Sequence, residues 1–157
     1  MLILLDIDGV LVPANAWNQP EFLDDGFPVF NLRAVKALQR ILSETDASVL
    51  LTTSHKARYD IPQWENLLKT RGINPKKIHR LASDSLQISR KEEILDWYEN
   101  QHLPNEEFVI IDDDKMLNGL PDKLKSNLVL TSPSIGLTDD LADKAISILR
   151  KRDLQIH

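Results

Sequence analysis

The chain contains no cysteine. That absence excludes a disulfide framework and every cysteine-based zinc site. Glycine is scarce, at five residues, and aromatics make up only 6%. With eight prolines and 42% hydrophobic residues, the composition is not that of a collagen, a low-complexity chain or a disordered one. Long hydrophobic runs are missing too: no stretch approaches the roughly 18 apolar residues of a membrane helix. The apolar run 1–5 has no positive flank, and Asp6 and Asp8 interrupt it, so it does not read as a signal peptide. A cytoplasmic protein with no membrane association is the expectation. Excess positive charge is also lacking. Lys and Arg number 19 against 24 Asp and Glu, for a net charge of −5. Such a total argues against a protein that coats nucleic acid or anionic membrane by bulk charge.

What is present is one domain's worth of chain, 157 residues, against a prior of roughly 100–200 residues per domain. A chain of this size buries roughly 70% of its unfolded surface, enough for a core without staples. A single domain over 1–157 is expected, as a monomer or small homo-oligomer. Short apolar runs alternate with helical patterns along it. Leu2–Leu5, Ser48–Leu51, 108–111 and 128–131 read as strands, with a weaker candidate at 78–82. Asn31 is placed to cap a helix over 32–43, with Leu32, Val35, Leu38, Ile41 and Leu42 on one face. Residues 60–71 read as a helix with Pro62 in its first turn and Gly72 beyond its end. Ser89 and Glu92 form a capping-box pattern that opens a helix to Asn100, with Ile94, Trp97 and Tyr98 inward. Thr138 caps a last helix over 139–151.

Near-continuous apolar runs of four or five residues suit strands buried on both faces. Alternated with helices, they predict an α/β fold: a three-layer, Rossmann-like arrangement around a mainly parallel sheet. Ligands of such sheets bind beyond the carboxyl ends of the strands. Functional residues should therefore follow the apolar runs, and polar residues do stand there. Asp6-Ile7-Asp8-Gly9 follows the first, Thr52-Thr53-Ser54-His55-Lys56 the second, and Asp112-Asp113-Asp114 the third strong run.

Asp6 at a strand end is placed to act as a nucleophile in phosphoryl transfer through an aspartyl-phosphate. Asp8, two residues on, can protonate the leaving oxygen and later activate water. Gly9 permits the sharp turn that follows. A carboxylate cannot approach a dianionic phosphate unaided. Mg²⁺, which favours oxygen ligands and is commonly held by carboxylates together with substrate phosphate, removes that obstacle. Asp6, Asp8, Asp112 and Asp113 are the candidate metal ligands; Asp114 also reads as a simple helix cap. Thr53 is the candidate phosphate-oxygen donor, with Thr52 in its place if the strand ends one residue earlier. Arg90 or its neighbour Lys91 is the candidate positive charge. Gly9, Ser54, His55 and Lys56 complete the expected substrate-binding set.

Together these residues resemble the haloacid dehalogenase (HAD) superfamily. The resemblance rests on Leu4-Leu5-Asp6-Ile7-Asp8-Gly9-Val10, Leu50-Leu51-Thr52-Thr53-Ser54, Ser89-Arg90-Lys91-Glu92-Glu93-Ile94 and Val109-Ile110-Ile111-Asp112-Asp113. It implies a HAD-like core, Mg²⁺ dependence and an aspartyl-phosphate intermediate. Within the superfamily the chain is similar to the small HAD domains of Swiss Army Knife RNA repair proteins. Arg90-x-x-Glu93-Ile94 and Gly136-Leu137-Thr138 match that branch, while Ser54-His55-Lys56 stands where it has Ser-Trp-Arg.

The chain has no room for a cap domain. Only a short insert, 13–30, separates the first motif from the next helix, and it carries Trp17, Phe22, Phe27 and Phe30. It is expected to be a flap pinned down by its own apolar side chains. An uncapped crevice admits bulky phosphoesters such as a nucleic-acid end. Residues 54–91 carry nine basic side chains against three acids, a local net of +6 that leaves −11 for the rest. A basic stretch between two phosphate-binding motifs would suit a polyanionic substrate. The expected activity is thus a Mg²⁺-dependent phosphohydrolase on an accessible phosphomonoester, a nucleic-acid end or a nucleotide. A small-metabolite phosphatase and a non-turnover phosphoacceptor are the alternatives.

Overall fold

A computed structural model describes residues 1–14, 21–81 and 89–151. Its five strands are β1 (Leu2–Leu5), β2 (Ser48–Leu51), β3 (Ile78–Arg80), β4 (Phe108–Asp112) and β5 (Leu128–Leu130). They pair in the order β3-β2-β1-β4-β5, and every pair is parallel. The helices are α1 (Leu32–Thr45), α2 (Ile61–Thr70), α3 (Arg90–Asn100), α4 (Asp122–Lys125) and α5 (Asp139–Leu149).

Side chains alternate across the pleat, so each strand feeds two cores. Ile3, Leu5, Val49, Leu51, Val109 and Ile111 pack with α1, α2 and α5 on one side. Leu2, Leu4, Leu50, Phe108, Ile110 and Leu128 pack on the other with Ile94 and Trp97 of α3. The result is the predicted three-layer α/β sandwich, with the central strands β2, β1 and β4 buried on both faces. Among the described residues no helix is long and apolar enough to cross a membrane.

The caps set the helix starts. The Asn31 side chain accepts from the Ala34 amide at 3.1 Å, and α1 runs on to a left-handed Asp46. Asp60 and Gln63 form a reciprocal capping box at α2. At α3 Ser89 accepts from the Glu92 amide at 3.2 Å. Only this half of the predicted Ser89–Glu92 box is seen. Leu32 was expected on the inner face of α1 but is 67% exposed. At 100° per residue, the stripe of Ala34, Val35, Ala37, Leu38 and Ile41 leaves Leu32 on the far side. Strand boundaries move by a residue or two: β3 ends at Arg80, β4 takes in Asp112 and β5 stops at Leu130. Two 3-10 turns, Lys56–Arg58 and Lys115–Gly119, and the four-residue α4 were not anticipated. Each is too short to show a hydrophobic period.

The strand order reverses between β1 and β4. Parallel sheets of this kind open a crevice at such a switch point, outside the carboxyl ends of the strands. Asp6 and Asp112 stand there.

Candidate active site

The register brings the site together. Leu5 is paired with Leu51 on one side and Ile111 on the other. The next row is Thr52, Asp6 and Asp112. Backbone bonds carry the ladder into it: Thr52 N–H donates to Leu5 O and Asp6 N–H to Ile111 O. All three are nearly or fully buried. Asp113 joins from the residue beyond β4, and one carboxylate oxygen each of Asp6, Asp112 and Asp113 lies within 4.8 Å of the others.

Arg90, the first residue of α3, enters this cluster. Its Nη1 lies 2.6 Å from Asp112 and 3.4 Å from Asp6. Lys91 turns away: its Nζ sits 3.0 Å from where a Cβ on Gly119 would be. Of the two candidate cations, only Arg90 touches the carboxylates.

One guanidinium does not balance three acids in a largely buried pocket. Burial, and then the neighbouring Asp112, push the Asp6 carboxyl up to about 8, with Arg90 partly offsetting the rise. Burial likewise raises Asp113. For Arg90, burial works to lower its value, but Asp112 and Asp6 more than compensate and leave it raised. The donors are all hard oxygens, and the pocket is short of positive charge. That chemistry fits a small divalent cation, which Asp6, Asp112 and Asp113 would hold. Asp114 is a cap only: its carboxylate accepts from the Met116 amide at 2.9 Å.

Asp8 stands apart from the three. Its carboxylate accepts from His55 Nε2 at 2.8 Å and is 58% exposed at the mouth of the crevice. Of the four expected metal ligands, therefore, three cluster by their carboxylates and Asp8 faces His55. The threonines also separate. Thr53 Oγ1 accepts from the His55 amide at 3.3 Å. Thr52 Oγ1, fully buried beside Asp6 at the end of β2, has no hydrogen-bond partner among the described residues. β2 ends at Leu51, as its apolar run predicts, and Thr52 is the first residue beyond it. An unpaired buried hydroxyl is costly to keep.

Gly9 fits the site through its backbone. Its φ is +77°, and a Cβ there would lie 2.1 Å from Asp113 Oδ2, so only glycine lets Asp113 approach. Two later segments brace the same loop. Thr131 Oγ1 donates to Gly9 O at 2.7 Å, and Leu137 N–H donates to Val10 O at 2.8 Å. Gly136 makes the second contact possible, since a Cβ on it would come within 2.5 Å of Val10 O. Neither Thr131 nor Gly136 carries a sequence signal for this role beyond the Gly-Leu-Thr match.

Lys56 does not face the crevice. Its ammonium is buried 2.9 Å from Glu93 of α3, tying the loop after β2 to the helix that carries Arg90. Ser54 is exposed in that loop. The basic stretch 54–91 is therefore not one open surface: Lys56 and Arg71 are buried in ion pairs, and Arg90 is engaged by the carboxylate cluster.

Of the insert, residues 13, 14 and 21–30 are described. Phe27 and Phe30 are buried, whereas Phe22 is 61% exposed. Arg71, just past α2, grips the flap from inside. It pairs with both Asp25 oxygens, at 2.6 and 2.9 Å, and donates to Phe27 O at 2.8 Å and to Pro28 O at 2.9 Å. Trp17 lies outside the described residues.

A family model described as the HAD domain in Swiss Army Knife RNA repair proteins matches residues 2–142. Neither curated proteins nor solved structures gave a match.

Proposed function

The chain belongs to the family of HAD domains in Swiss Army Knife RNA repair proteins, and on that premise we propose that it is a Mg²⁺-dependent phosphohydrolase acting through Asp6. The observation that carries this reading is the meeting of Asp6, Asp112, Asp113 and Arg90 at the switch point of the sheet. Bound Mg²⁺ would supply the positive charge that lets a phosphate approach three carboxylates. Asp6 attacks phosphorus and becomes the aspartyl-phosphate. Asp8 protonates the departing ester oxygen and then takes a proton from the attacking water. Thr52 donates its free hydroxyl to a phosphate oxygen. Arg90 holds Asp6 and Asp112 in place and offsets charge on the phosphate.

The substrate we favour is an accessible phosphomonoester, a nucleic-acid end or a nucleotide. Asp8 at an open mouth supports it, because a bulky leaving group needs room there. The family's description points the same way. The test is phosphate release from a panel of 3′- and 5′-phosphorylated oligonucleotides, nucleotides and sugar phosphates. Release is expected to need Mg²⁺ and to vanish in a folded Asp6→Asn variant. Full activity in that variant would sink the mechanism. Faster turnover of sugar phosphates would replace the substrate reading with a small-metabolite phosphatase.

A further inference from the structure

We infer that His55 is a positioning residue for Asp8: it holds one carboxylate oxygen so that the other faces the leaving group. The inference rests on the phosphohydrolase reading and goes beyond it. The contact between His55 Nε2 and Asp8 Oδ2 is 2.8 Å long. With Asp8 ionised, only the histidine can bring the proton to it. The ring is itself fixed. It packs T-shaped with Phe27, the ring centroids 5.4 Å and the planes 86° apart. Phe27 is 1% exposed and is held through its carbonyl by Arg71 at 2.8 Å. The backbone N–H of His55 donates to Thr53 Oγ1. Asp8, by contrast, is 58% exposed and has no other side-chain partner among the described residues. Without His55 its carboxyl would turn freely in water.

In the first step the Asp6–phosphorus bond forms, the ester P–O bond breaks, and the proton on Asp8 passes to the departing oxygen. In the second, water's oxygen bonds to phosphorus, its proton returns to Asp8, and the Asp6–phosphorus bond breaks. A fixed carboxyl matters most when the departing oxygen is a poor leaving group that needs the proton early.

The experiment compares kcat/KM for nitrophenyl phosphate and for an alkyl phosphate in the parent, His55→Phe and His55→Gln. This ratio reports steps through P–O cleavage and so leaves out the shared hydrolysis step. In His55→Phe the loss on the alkyl ester should exceed the loss on the aryl ester by about tenfold or more. His55→Gln, whose amide N–H can still donate to Asp8, should recover part of the difference. Equal losses on both esters, or none on either, would overturn the inference while leaving the phosphohydrolase reading intact. A parent inert toward both esters would overturn the reading and this inference with it.

Discussion

Thr52 and Thr53 show how one residue's offset decides a role. Both are fully buried, yet only Thr53 has its hydroxyl bonded. In Thr52→Val an unpaired hydroxyl is exchanged for a methyl of the same shape, so stability should hold or rise by up to about 1 kcal/mol. Activity should nevertheless fall roughly 10²-fold, as for other single donors to developing charge. Thr53→Val should cost about 1 kcal/mol by freeing the His55 amide, with a smaller loss of rate than Thr52→Val. Urea unfolding and phosphatase rates measured on both variants decide it. Equal behaviour of the two would remove Thr52 from the site. The sequence left these residues undecided although β2 ends where its apolar run does, because which of two adjacent residues turns its hydroxyl to the acids depends on the path of the chain beyond the strand, which leaves no local pattern. Arg90 and Lys91 were undecided because neighbours on a helix point about 100° apart, and which of them faces the sheet depends on how α3 packs. The position of Asp6 was legible, because an acid directly after an apolar run has few bland uses.

The strands and capped helices were readable because each carries its own period or cap. The flap was readable only as an aromatic insert. What holds it, Arg71 against Asp25, joins residues far apart in the chain and leaves no local pattern. The same is true of Lys56 with Glu93. Arg71→Met would strand the Phe27, Pro28 and Leu67 carbonyls and the Asp25 carboxylate. A loss of roughly 3 kcal/mol in urea unfolding is expected, at the low end for such pairs because Asp25 is partly exposed. Faster protease cleavage within 21–30 should accompany it; an unchanged cleavage rate would mean that the flap is held by other contacts. Hydrogen bonds from Arg71 are the main cause of the lowered Asp25 carboxyl. Its folded value lies below the unfolded one, so its stabilisation is present above the ordinary carboxylate range and is lost as pH falls through the folded value.

At the scale of the molecule the site opposes the fold. Asp6 titrates near 8 when folded, against an ordinary value of about 3.9. Between those values the native state keeps a proton that the unfolded chain has released. The sign is therefore opposite to that of Asp25: stability is full below about pH 4 and falls as pH rises towards about 8. Metal-free protein should lose stability between about pH 5 and pH 8. Added Mg²⁺ should raise Tm, and by more at the higher pH. Asp6→Asn should flatten the metal-free slope. Melting curves with and without chelator check all three, and a Tm indifferent to Mg²⁺ at both pH values would argue against a cation at these carboxylates.

The bond from Thr131 to Gly9 spans 122 positions of sequence. It ties the first loop to the last strand, so the order of synthesis enters the chemistry. All three clustered acids have been made by residue 113, yet the turn that carries Asp8 gains its supports only when Thr131 and Gly136 arrive. Closing so long a loop is slow, because its entropy is lost before the contacts that reward it form. A nascent or C-terminally truncated chain would thus display the acids without the braced turn, and the surroundings of Asp8 would be complete only once residues 131–136 had folded onto the chain's start.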